Sequence, residues 1–123
     1  MRIVAGFGFR AAATADSLRS ALGRAAGDRR VALLAAPADK AEAACLRAVA
    51  ATLNLPVVGV AAAALAATET VTRSPRAHAA RGVGSVAEAA ALAAAGPGGR
   101  LVGARHISED RLATCAIAAG DDG

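Results

Sequence analysis

At 123 residues the chain has room for one hydrophobic core and excludes two. Hydrophobic residues make up 55%, but 39 of them are alanine, which leaves 29 larger apolar side chains to fill that core. The net charge of +4, carried by thirteen arginines and the single Lys40, suits an anionic partner, while two Phe with no Trp or Tyr exclude a base-stacking platform for nucleic acid.

In chain order, Ile3-Val4-Ala5 reads as a short buried strand that ends at Gly6, with Gly6 to Arg10 as a loop. Thr14 is the expected N-cap of a helix running to Ala26, with Leu18, Ala21, Leu22 and Ala25 on its apolar face. Gly27-Asp28 breaks it, Val31 to Ala35 forms a second strand, and Pro37 stops that strand. Asp39 and Glu42 have capping-box spacing and open a second helix. Cys45, Val49, Thr52 and Leu53 share one of its faces, and it ends near Asn54.

Val57 to Val60 is a third strand and Ala61 to Ala67 a short helix. The run from Val57 to Ala67 is the longest uncharged apolar stretch and is too short to span a bilayer, so no membrane partner is expected. From Thr68 to Gly84 no period is legible; Arg73, Arg76, His78 and Arg81 make this an irregular basic connection. Ser85 and Glu88 form the cleanest capping box and open a helix to Ala95, stopped by Gly96-Pro97. Leu101 to Ala104 and Leu112 to Ala118 are expected to pair as an antiparallel hairpin across His106 to Asp110. The expected architecture is a single α/β domain over residues 1–119, with a disordered tail at 120–123. Its mixed sheet is mainly parallel, with helices on both faces and the C-terminal hairpin.

In such sheets ligands bind beyond the carboxyl ends of the strands. Gly6 to Arg10, the Pro37–Glu42 turn and the glycines Gly82 and Gly84 before Ser85 all fall there. Two of these three are helix N-termini, whose free N–H groups suit carboxylates or phosphates, and Arg10 adds a forked donor. Gly6 to Ala11 also fits GxGxxA, but the helix starts too late and no acidic residue follows the second strand for a ribose, so no dinucleotide cofactor is expected. Cys45 and Cys115 lack metal-ligand spacing and sit in apolar-periodic segments, as buried thiols of a reducing cytoplasm would. Met1 to Phe9 does not read as a signal peptide. His78 and His106 have no second ligand nearby, so no metal is expected; His106 is a candidate ligand contact or proton donor. Lys40, Glu42 and His106 are the candidate acid–base residues, Asp39 and Glu42 serving equally as helix caps and Ser85 as an N-cap.

Four segments occur in register along nearly the whole chain: G-F-G-F-R at 6–10 with Thr14, P-A-D-K-A-E at 37–42, G-V-G-S-V-A-E-A-A-A-L at 82–92 and T-C-A-I-A at 114–118. Together they resemble the CobE family of cobalamin (vitamin B12) biosynthesis and the equivalent C-terminal domain of CbiG. The resemblance implies a role on acidic corrinoid or precorrin intermediates in the oxygen-dependent pathway. Gly6, Gly8, Phe9, Arg10, Thr14, Asp39, Lys40, Gly82, Gly84, Ser85 and Glu88, from the loops and helix mouths at the strand ends, are the candidate ligand-binding positions. Arg105 and His106 join them, standing where the family often carries a lysine. Three roles follow as expectations: an accessory or carrier protein that binds a tetrapyrrole, a lactone-opening hydrolase as in CbiG, or a docking module for another pathway enzyme. A thin core and short strand edges also suit a homodimer.

Overall fold

The structure, a computed structural model, describes residues 2–67 and 86–120. The basic connection, with Gly82, Gly84 and Ser85, lies outside the described residues, as does the end of the tail. The elements in order are β1 (Arg2–Phe9), α1 (Ala15–Ala26), β2 (Leu33–Pro37), α2 (Ala44–Leu53), β3 (Val57–Val60), α3 (Ala62–Ala67), α4 (Val86–Ala95), β4 (Arg100–Leu101), β5 (His106–Ile107) and β6 (Ala113–Gly120). They form the expected single α/β domain around one mixed sheet ordered β3-β2-β1-β6-β4, with β5 also paired to β6.

β1, β2 and β3 are parallel, with Val4 opposite Leu33 and Leu34 opposite Val57. The crossovers β1–α1–β2 and β2–α2–β3 step in the same direction across the sheet, so both helices fall on one face. There Phe7, Leu18, Leu34, Leu46, Val49 and Ile117 build the larger core cluster. Alternate strand residues point the other way: Val4, Leu33 and Ala35 pack with Val60, Leu65 and the alanines of α4 in the second cluster.

β1 is longer than the sequence suggests. Its last four residues, read as a loop, pair with β6, Gly6 opposite Ala116 and Phe9 opposite Ala113. Glycine here is a packing device, since a Cβ on Gly6 would strike Ala87 O and stand 2.5 Å from Ala91 N. With no side chain at Gly6, α4 lies directly on β1 there. β6 runs through Gly120, opposite Arg2, so the strand takes in the residue where the tail was expected to begin.

Three further expectations are corrected. Asp39 and Glu42 do not cap α2: turns closed by Lys40 N–H to Pro37 O (2.8 Å) and Ala43 N–H to Lys40 O (3.0 Å) use up that stretch. Ala43 is the N-cap, with no side-chain cap bond. The buried face of α2 is Leu46, Val49 and Ala50, while Leu53 is 44% exposed. The C-terminal hairpin is built on β5 and β6, with β4 as a two-residue strand further along the same edge of β6. Of the expected strand Leu101 to Ala104, only Leu101 pairs with β6, opposite Ala118.

Candidate functional site at the carboxyl end of the sheet

Parallel strands β1 to β3 end side by side, so the β1–α1 loop, the β2–α2 turn and the helix N-termini share one end of the sheet. Phe9 closes β1 half-buried; Arg10 follows, exposed, its N–H donating to Leu112 O at 2.9 Å. Lys40, half-buried in the β2–α2 turn, places Nζ 5.3 Å from the centre of the Phe9 ring. A cation over an aromatic face is favoured by roughly 0.5–1 kcal/mol at such partly exposed sites and keeps its N–H groups available to an anion. Phe9 and Lys40 thus come together, and Arg10 is the next residue along the chain.

The two helix mouths at this end differ. At α1, Thr14 and Ser17 form a capping box: Ser17 N–H donates to Thr14 Oγ1 (3.3 Å) and Thr14 N–H to Ser17 Oγ (3.0 Å). Ser17 also donates to Asp110 Oδ2 at 2.5 Å. Ser108 Oγ (2.6 Å) and Leu112 N–H (3.0 Å) donate to the other oxygen of that carboxylate. Bonds from Ser108 and Ser17, then from Leu112 N–H, stabilise the charged form and hold Asp110 below the usual carboxylate pKa. The anion position at the mouth of α1 is therefore served by the protein's own carboxylate. At α2 no side chain caps the N-terminus, and Lys40 stands three residues before the N-cap Ala43.

The remaining predicted residues are placed as follows. Gly6 is buried mid-strand. Gly8 lies between Thr114, whose hydroxyl donates to Gly8 O at 3.2 Å, and Val86 at the start of α4. Asp39 is exposed beside Lys40, and Glu42 pairs with Arg47 at 3.2 Å. Glu88 is fully buried in the first turn of α4. Arg105 is half-buried, and His106 stands apart on β5, opposite Cys115, lining a shallow cleft with Ala25, Arg29, Val102 and Ile117. Burial pushes the Cys115 thiol well above its ordinary pKa, which leaves it protonated and unreactive.

Sequence reasoning missed Asp110. Its partner Ser17 lies 93 residues away, and only the turn-like run Ser108-Glu109-Asp110 pointed to it. No helix among the described residues is long and apolar enough to cross a membrane.

A mixed sheet of three parallel strands and an antiparallel C-terminal part, with helices on both faces, defines a small single α/β domain. The chain belongs to the family described as Cobalamin synthesis G C-terminus, which it matches over residues 3–118. It is similar to the crystal structure of CobE, a protein from the cobalamin (vitamin B12) biosynthetic pathway, at 34% identity and TM-score 0.85, covering 95% of this chain and 89% of that one. It is also similar to the cobalamin biosynthesis protein chiG from Agrobacterium tumefaciens, at 38% identity and TM-score 0.74, covering 98% and 99%. A putative cobalamin biosynthesis protein G homolog from Sulfolobus solfataricus shares the fold at 20% identity and TM-score 0.72, over 98% of this chain and 37% of that one. No curated protein matches the sequence.

Proposed function

We propose that the protein binds an acidic precorrin intermediate of the oxygen-dependent cobalamin pathway at the carboxyl end of its sheet, as an accessory or carrier protein. The observation that carries this reading is Lys40 over the Phe9 ring, with Arg10 next to Phe9 in the chain and the uncapped N-terminus of α2 three residues beyond Lys40. A tetrapyrrole presents an extended π-surface with carboxylate arms. An aromatic ring under one cation, with a second cation on the adjoining residue and a helix N-terminus that no side chain caps, meets both parts. Binding is favoured over catalysis because the candidate acid–base groups do not converge: Glu42 is held by Arg47 and His106 lies on β5, across the sheet from β2.

Incubating the purified protein with precorrin intermediates, then recording the visible spectrum and mass of the pigment, tests this. Pigment retained through gel filtration with unchanged mass is the expected result. A change in mass would replace the carrier with a processing enzyme. No retention would leave the docking role and overturn the binding one.

A further inference from the structure

We propose that Arg111 is a further carboxylate-binding residue of this site, adding with Arg10 to the positive charge that Lys40 supplies. The proposal rests on the reading that a polycarboxylate occupies the carboxyl end of the sheet.

Arg111 lies in the turn between β5 and β6, closed by Ser108 N–H to Ala113 O (2.9 Å) and Arg111 N–H to Ser108 O (3.0 Å). Its φ is +64°, in the left-handed region. The other described non-glycine residue with positive φ is Asn54, a residue type that tolerates this conformation at a helix C-cap. Arginine does not share that tolerance, and hairpin turns with a left-handed position favour Gly, Asn or Asp. The backbone gains nothing from arginine here, so the side chain must be what the position uses.

The turn holds that side chain in a defined place. Asp110 binds Ser108, Ser17 and Leu112 N–H, and Glu109 N–H donates to Ser20 Oγ at 2.9 Å, pinning the turn to α1 at two points. Leu112 O, one residue on, accepts from Arg10 N–H, so the backbones of the two arginines lie close together beyond the end of β1. Both are exposed, and neither takes part in an ion pair among the described residues. Of the acidic groups in the turn, Asp110 is engaged by hydroxyls and an amide, and Glu109 is exposed. Lys40 over Phe9 stands at the same end of the sheet. A ligand with carboxylates spread around a ring can engage several cations at one end of a sheet, as a single anion cannot.

The test uses Arg111→Asn, which removes the charge but suits the left-handed backbone, and Arg111→Lys, which keeps the charge. Each is titrated at low salt with uroporphyrin, a stable octacarboxylate tetrapyrrole, and unfolded in urea. The expected result is that Arg111→Asn unfolds at higher urea than wild type yet binds roughly three- to tenfold more weakly. Arg111→Lys should recover most of that affinity. If Arg111→Asn binds like wild type while Arg10→Ala and Lys40→Ala bind more weakly, the proposal for Arg111 fails and the site stands. If wild type takes up neither uroporphyrin nor precorrin, the functional reading fails and takes this proposal with it.

Discussion

Gly6→Ala is expected to destabilise the protein by about 3 kcal/mol, near the upper end of what an overpacked core usually costs. The new methyl group would meet Ala87 O, Ala91 N at 2.5 Å and Ala91 Cβ at 2.8 Å. Two of these are backbone atoms of α4, so no side chain can swing aside; the helix must lift from the sheet. Lifting it loosens Val4, Ala35, Ala89 and Ala118, which share that core cluster. The companion change Gly23→Ala has no atom within 4 Å of its new Cβ and sits inside α1. It should stabilise by about 0.5–1 kcal/mol through helix propensity alone. Urea denaturation of both variants checks the pair. Equal stability of Gly6→Ala and wild type would mean that α4 does not rest on β1.

The second large effect is on binding. The double variant Arg10→Ala, Lys40→Ala is expected to bind a precorrin at least about tenfold more weakly at low salt, since each charge-assisted contact contributes on the order of 1 kcal/mol. The loss should narrow as salt screens the remaining attraction. Folding should change little, because Arg10 is exposed and Lys40 half-buried. Spectrophotometric titration measures the affinity, and an unchanged value would show that these cations do not face the ligand.

Much of the fold was legible where one local signal sufficed. Thr14 caps α1, Gly27 and Asn54 end helices with positive φ, and β3 spans the predicted Val57–Val60. Errors arose where tertiary contacts chose between local options. Gly6 and Gly8 punctuate the sequence as a loop would, yet they extend β1, because a helix approaching a strand closely needs the same residue as a turn does. Asp39 and Glu42 have capping spacing, but two consecutive turns delay α2 to Ala44. That delay accompanies a buried face of Leu46, Val49 and Ala50 in place of one through Cys45, Thr52 and Leu53.

The candidate site divides in the same way. Arg10 and Lys40 were visible as rare or well-placed cations at strand ends. The contact of Lys40 with Phe9 was not, because it depends on Phe9 ending a strand instead of lying in a loop. The closure of the α1 mouth by Asp110 joins residues 93 apart and leaves no periodic trace. His106, grouped with the other site residues on sequence, is separated from them because it pairs with the outer edge of β6.

The claim that a polycarboxylate binds at the carboxyl end of the sheet is tested most directly by following backbone amide resonances while a precorrin is titrated in. The account predicts shifts concentrated at Phe9, Arg10, Lys40, the first turn of α2 and Arg111-Leu112. Shifts concentrated instead at the opposite end, around Arg2, Ala95 and Gly120, or in the cleft beside His106, would contradict it.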